Sequence, residues 1–274
     1  MSIFEKIFGL NNKKKEADDV LSSGVNDNKT APTQTKSNNK NLSLNLSKEE
    51  SLLQLNLRKD KLLSLCLDKK EFSRVARVAL VLDYSGSMER MYRNGEVQAV
   101  IERLLPVAMN LDDNGEMEMW LFDDSYNRIN SISIKNYYNY IKNENILNKY
   151  PMGCTKYSPV MKDIRNKYLK EEPLDNVPTL VLFITDGDTF DSNETIKVLR
   201  ECSDKPIFWQ FIGLGNTRFK FLETLDNLDD RFVDNANFFS INDFKTISDD
   251  ELYKRLLKEY PSWLNEIIQK GMIK

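Results

Sequence analysis

The sequence predicts an α/β protein with a doubly wound, mostly parallel central sheet that is flanked by helices. Continuous apolar runs at 78–82, 180–184 and 206–212 have the composition of strands that are covered on both faces. Segments whose apolar residues recur at helical spacing lie between these runs. Strands that alternate with helices in this way are typical of an open parallel sheet with a helical layer on each face.

The predicted elements of this sheet follow one another from about residue 74. Strands are predicted at 76–82, 117–121, 129–134, 179–185, 207–212 and near 238–241. The strand at 129–134 is expected at an edge of the sheet. Helices are predicted at 97–111, 137–146, 158–170, 193–202, 249–258 and 262–270. Pro106 lies inside the first of these helices, where a proline is expected to produce a kink.

Residues 1–41 are predicted to be a disordered N-terminal segment. Their second half is rich in Ser, Asn, Thr and Lys, which cannot bury enough apolar surface to offset chain entropy. The first ten residues place Ile3, Phe4, Ile7 and Phe8 at helical spacing. This stripe predicts a short amphipathic helix that docks on a partner or a membrane surface, packs on the protein itself, or frays.

Residues 42–70 contain three short leucine repeats and are predicted to form a small meander of β-strands. Each repeat alternates leucine with another residue, which is the period of a half-buried strand. The repeats are Leu42, Leu44 and Leu46, then Leu53, Leu55 and Leu57, then Leu63, Leu65 and Leu67. A sheet of this size is not stable alone, so its leucine face must cover something. The α/β domain then occupies residues 71–274.

The composition excludes several function classes. The chain has 274 residues with 41% hydrophobic residues, a net charge of −3 and no histidine. Catalysis by Ser-His-Asp or Cys-His groups and zinc sites that require imidazole are therefore excluded. A general nucleic-acid binder usually has a basic excess, which this chain lacks. The three cysteines, Cys66, Cys154 and Cys202, are far apart, and no apolar run reaches membrane-spanning length. These features predict a soluble cytoplasmic protein.

Hydroxyl and carboxylate groups follow the ends of two predicted strands. Asp83, Ser85 and Ser87 come after the first strand, Thr155 lies in a loop, and Asp186 follows the strand at 179–185. Because the carboxyl ends of parallel strands lie at one edge of a sheet, these side chains are expected to meet there. Their oxygen atoms suit Mg²⁺, and neutral hydroxyl ligands would leave the ion able to bind one more anionic oxygen.

This pattern resembles the metal-ion-dependent adhesion site of von Willebrand factor A (vWA) domains. Over about residues 74–274 the chain is most similar to the bacterial tellurium-resistance type (TerF/TerY-like), which also shares the stretches at 81–88, 208–213, 233–236 and 248–253. The resemblance implies Ser85, Ser87 and Thr155 as direct Mg²⁺ ligands, with Asp83 and Asp186 acting mostly through water. It also implies that a partner's Asp or Glu completes the metal shell. The implied role is non-enzymatic, in an assembly linked to tellurite, other chemical stress or phage defence.

The sequence leaves two other functions open. The chain could be a Mg²⁺-dependent phosphotransferase or phosphatase that uses Asp83, although position 85 is Ser and no phosphate-binding glycine loop is present. It could also be a structural assembly protein nucleated by residues 1–10, with or without membrane association, although membrane association is not expected. Asp188 and Asp191 are interpreted as caps of the helix after residue 192. The partner, possibly another tellurium-resistance-type protein, and the choice among Mg²⁺, Mn²⁺ and Ca²⁺ are not fixed by the sequence.

Overall fold

A six-stranded sheet forms the centre of the computed structural model, which describes residues 46–67 and 75–274. The strands are β1 (Arg77–Asp83), β2 (Met117–Phe122), β3 (Tyr126–Ile132), β4 (Thr179–Thr185), β5 (Ile207–Leu214) and β6 (Ala236–Ile241). Their order across the sheet is β3-β2-β1-β4-β5-β6. Only the β2–β3 pair among these is antiparallel. The predicted doubly wound fold is confirmed, with β3 at the predicted edge.

Helices cover both faces of the sheet. They are α1 (Lys48–Leu67), α2 (Glu89–Arg93), α3 (Glu96–Leu111), α4 (Tyr140–Asn143), α5 (Ile146–Lys149), α6 (Ser158–Asn166), α7 (Ser192–Glu201), α8 (Lys220–Asp226), α9 (Asp249–Leu256) and α10 (Tyr260–Gln269). A 3₁₀ turn spans Gly86–Met88, and a π-helical turn at Lys167–Glu171 follows α6. Pro106 lies within α3.

Two apolar cores form because side chains alternate across each strand. In β1, Val78, Leu80 and Leu82 belong to the core under α3, α9 and α10, whereas Ala79 and Val81 belong to the core under α6, α7 and α8. Every residue of β4 is buried. Burial on both faces accounts for the unbroken apolar runs in the sequence.

The predicted β-strands in the leucine segment are wrong, because residues 48–67 form a single α-helix. Its buried residues are Ser51, Leu55, Leu62 and Cys66, which recur at intervals of four and seven and so lie on one helical face. Ser47 and Glu50 form a capping box, in which Ser47 N–H donates to Glu50 Oε2 (2.8 Å) and Glu50 N–H donates to Ser47 Oγ (3.2 Å).

Strong helix formers such as Leu, Lys, Glu, Gln and Arg make up most of this segment, and no Gly or Pro separates its leucine units. The leucines at 42 and 44, like the predicted disordered segment 1–41 and its apolar stripe, lie outside the described residues.

Helix α1 packs against α3 and α9, so it belongs to the same folded body as the sheet. Arg58 Nε donates to Asp249 Oδ2 at 3.2 Å, and Lys61 pairs with Asp250 at 2.9 Å. Asn110 Nδ2 of α3 donates to the Lys59 carbonyl oxygen at 3.2 Å. The apolar face of α1 therefore covers the helical layer on one side of the sheet.

The predicted helix over 137–146 is replaced by two single turns, α4 and α5. Asn139 and Asn145 precede these turns with φ values of 53°, in the left-handed region that asparagine tolerates better than most residues.

None of the helices in the described residues combines the length and the apolar composition that a membrane span requires.

Candidate metal centre

Asp83 lies at the carboxyl end of β1, in the interior of the predicted site. Its side chain is 0% exposed. Its Oδ1 accepts a hydrogen bond from the Ser85 N–H at 2.8 Å, and its Oδ2 accepts one from the Thr185 hydroxyl at 2.6 Å. Strands β1 and β4 are parallel neighbours, with Leu82 paired to Ile184, so the residues that follow each strand meet at this edge.

Ser85, Ser87 and Asp186 form a continuous chain of oxygen atoms beside Asp83. Ser85 has an extended backbone (φ −78°, ψ 163°), and the 3₁₀ turn that follows it brings Ser87 back toward it. The two serine Oγ atoms are 3.1 Å apart, and Ser87 Oγ donates to Asp186 Oδ1 at 2.8 Å. Four of the five predicted ligands are thus linked directly or through the backbone.

Thr155 joins the site through the loop that precedes α6. Ser85 forms a parallel β-bridge with Gly153, and the Gly86 N–H donates to the Gly153 carbonyl oxygen at 3.2 Å. Thr155 comes two residues later and is 9% exposed. A Cβ at position 153 would lie 2.6 Å from an oxygen of Asp124 and 2.7 Å from one of Asp123, so glycine permits this close approach.

The electrostatics of the two site carboxylates fit a cation. Burial raises the pKa of Asp83 to about 6, although hydrogen bonds from Ser85 and Thr185 oppose the shift. Burial also raises the pKa of Asp186. No Lys or Arg in the described ranges pairs with either carboxylate, and a buried carboxylate is costly without a compensating charge. Two carboxylates beside three hydroxyls are a suitable set for a hard divalent cation.

Three residues that support the site were not among the predicted site residues. Thr185 donates to Asp83, and the Tyr157 hydroxyl lies 3.3 Å from Thr185 Oγ1 and donates to the Gly187 carbonyl oxygen. The Tyr92 hydroxyl donates to the Asp83 carbonyl oxygen at 3.0 Å. Thr185 could have been found from the sequence, because it directly precedes Asp186. Nothing in the sequence near Tyr92 or Tyr157 indicates that they support the site.

The prediction that Asp188 and Asp191 cap α7 with their side chains is wrong, because their carboxylates accept backbone N–H groups elsewhere. Asp191 stands before α7, but its carboxylate makes no backbone cap there and instead accepts the N–H groups of Tyr157 and Ser158, both at 3.0 Å. It therefore caps the start of α6, because the 187–191 loop folds back over that helix. Asp188 Oδ1 accepts a bond from the Phe221 N–H at 3.4 Å.

The family model of the vWA domain found in the TerF C terminus matches residues 75–273. The chain belongs to this TerF-like vWA family. YcbR of Bacillus subtilis (strain 168) is 44% identical over 219 residues, which cover 78% of this chain and 88% of YcbR. Copine-D of Dictyostelium discoideum is 34% identical over 93 residues, or 31% of this chain and 17% of Copine-D.

Two solved structures resemble this TerF-like chain at low sequence identity. BatB from Bacteroides thetaiotaomicron has a TM-score of 0.47 and 14% identity, and the match covers 71% of this chain and 99% of BatB. Proximal thread matrix protein 1 from the mussel byssus has a TM-score of 0.45 and 16% identity, over 73% of this chain. The match spans 48% of the mussel protein, about half of its length.

Proposed function

We propose that this TerF-like vWA chain is a non-enzymatic, Mg²⁺-dependent protein-binding domain that acts as a scaffold or adaptor. Ser85, Ser87 and Thr155 would hold the ion directly, with Asp83 and Asp186 acting mostly through water. The bound ion would supply attraction for an Asp or Glu carboxylate of the partner. The tellurium-resistance, chemical-stress or phage-defence setting follows from the resemblance to the tellurium-resistance type.

The observation that carries this proposal is the uncompensated negative charge at the end of β1. Asp83 is fully buried, Asp186 is part-buried, and the described cationic side chains pair with neither of them. A divalent ion would offset that cost. Because the protein groups that bind the ion directly would be neutral hydroxyls, and the two carboxylates would act mostly through water, the ion could bind an incoming carboxylate directly.

The surface in front of these residues can admit a partner. Ser87 is exposed, whereas Asp83 and Ser85 lie beneath it. A Cβ added at Gly86 or at Gly187 would meet no atom within 4 Å. Both glycines therefore border open space at the edge where the carboxylates and hydroxyls meet.

The burial of Asp83 counts against the alternative in which this carboxylate is a nucleophile for phosphoryl transfer. A nucleophilic oxygen must reach the substrate, but Asp83 is 0% exposed and each of its oxygens accepts a hydrogen bond. A generic phosphatase assay tests this alternative, because Mg²⁺-dependent turnover that disappears in Asp83→Ala would establish it.

The direct test is affinity capture from bacterial lysate with the full chain, in Mg²⁺ and in EDTA, alongside calorimetry of Mg²⁺ binding. Asp83→Ala should lose both Mg²⁺ binding and capture. Asp204→Ala is a matched control. Asp204 is exposed in the turn that precedes β5, at the amino end of that strand, whereas Asp83 lies at the carboxyl end of β1. Gly187→Leu should keep Mg²⁺ affinity and lose capture, since it keeps all five ligands and fills the open space. Capture that is equal in EDTA would contradict the proposal.

A further inference from the structure

Phe190 is the most exposed of the large apolar side chains that the described residues expose. Its side chain is 80% exposed, whereas the others range from 38% to 59%. A single exposed apolar residue is ordinary on a protein surface. Its position makes Phe190 unusual, because it lies on the loop that joins β4 and Asp186 to α7.

The loop that carries Phe190 is held in place by several hydrogen bonds. The Phe190 N–H donates to the Thr155 carbonyl oxygen at 3.0 Å. The Thr189 hydroxyl lies 2.5 Å from Asp191 Oδ1, and the carboxylate of Asp191 in turn binds the first N–H groups of α6. Since the backbone is fixed on both sides of Phe190, the loop cannot fold back to bury the ring without breaking these bonds.

One of these bonds places the Phe190 backbone beside that of Thr155. Thr155, whose carbonyl oxygen accepts the Phe190 N–H, is one of the predicted ligands, and Gly187 borders open space between Asp186 and Phe190 in the chain. The loop that exposes the Phe190 ring is thus bonded to the loop that carries a predicted ligand. A molecule that reaches the ion from the Gly187 side passes close to this loop.

We propose that Phe190 is a specificity contact for a protein segment that carries an Asp or Glu next to a leucine or phenylalanine. The inference rests on the proposed function, in which the carboxylate binds the ion. Carboxylates are present on every protein surface, so attraction to the ion alone selects poorly among partners. An apolar side chain that packs on Phe190 adds a second requirement and buries the exposed ring.

A peptide array tests this with labelled full-length chain as the probe. Three peptide sets on a Gly-Ser background carry Glu beside Leu, Glu beside Ser, and Gln beside Leu. In Mg²⁺ the chain should favour the Glu-Leu peptides over the Glu-Ser peptides by about tenfold or more, the lower end expected from burying a Phe side chain. Phe190→Ser should remove this preference and keep the Mg²⁺-dependent preference for Glu over Gln.

Phe232→Ser is the matched control. Phe232 is 54% exposed in the turn that precedes β6, at the amino end of that strand and away from the candidate site. Its replacement should leave the array pattern unchanged. Melting curves and Mg²⁺ calorimetry show whether both variants fold and bind the ion. If Phe190→Ser still prefers Glu-Leu over Glu-Ser peptides to the same degree, the role of Phe190 is wrong, but the proposed function is not affected. If the unmodified chain does not prefer Glu-Leu over Gln-Leu peptides in Mg²⁺, or keeps this preference in EDTA, the proposed binding of a carboxylate to the ion is wrong.

Discussion

Alanine substitutions in α1 test whether the leucine segment stabilises the protein as a helix. In a strand, Leu53, Leu55 and Leu57 would share one face, so replacing any of them would have a similar effect. In the observed helix Leu55 is 0% exposed, while Leu53 and Leu57 are 59% and 54% exposed. Leu55→Ala should therefore destabilise the protein strongly, and Leu53→Ala and Leu57→Ala should not.

The expected magnitude follows from the burial of each side chain. Leucine-to-alanine changes at fully buried positions cost about 2–5 kcal/mol, because transfer energy is lost and a cavity remains. Changes at exposed positions usually alter the free energy of unfolding by no more than about 0.5 kcal/mol. For a domain of this size, 1 kcal/mol corresponds to about 2–4 °C in Tm. Leu55→Ala should thus lower Tm by about 4–20 °C, and the other two variants by about 2 °C or less.

Differential scanning calorimetry of the full chain and the three variants measures these shifts. Alanine is at least as good a helix former as leucine, so a Tm loss in Leu55→Ala would report packing and not helix propensity. Equal Tm losses for Leu53→Ala and Leu55→Ala would refute the helical arrangement. No loss for Leu55→Ala would show that α1 does not stabilise the fold.

Three further outcomes are expected. A chain that begins at residue 71 should melt below one that begins at residue 42, since it lacks α1, and comparable melting curves would contradict this. Removal of Mg²⁺ by EDTA should leave most of the circular dichroism signal, because the apolar strands hold the sheet. It should lower the free energy of unfolding by about 2.7 kcal/mol if Mg²⁺ was present at 100 times its dissociation constant. Thr155→Asp should keep Mg²⁺ in calorimetry but lose capture, because its carboxylate occupies the position that the partner's carboxylate needs; unchanged capture would refute this.

Periodicity alone predicted much of the sheet, because strands that are buried on both faces leave long apolar runs. Residues 179–185 were predicted as a strand with the bounds that β4 has. The prediction for segment 42–70 failed for a physical reason, since its many Leu, Lys, Glu, Gln and Arg residues favour a helix, and in that helix only Leu55 of Leu53, Leu55 and Leu57 is buried. The distinguishing signal was the capping box of Ser47 and Glu50, together with the lack of Gly and Pro.

Hydrogen bonds link four of the five residues predicted for the site, and the backbone contacts of Gly153 bring the loop of Thr155 to the same end of the sheet. That they bind a metal stays a prediction. Their supports were harder to foresee, since Tyr92 and Tyr157 reach the site through tertiary contacts that no spacing in the sequence encodes. The same holds for Asp191, whose carboxylate binds a helix more than 30 residues earlier in the chain.

Burial divides the site into parts with separate tasks. Asp83 and Thr185 are both 0% exposed and bind each other, so a change at either should disturb the core end of β1 and β4 together with the cation site. Ser87, which is a proposed ligand, and Phe190, which is not, lie at the surface, where a substitution does not open the core. In the proposed function, the interior pair would support the ion site and Phe190 would help to select the partner.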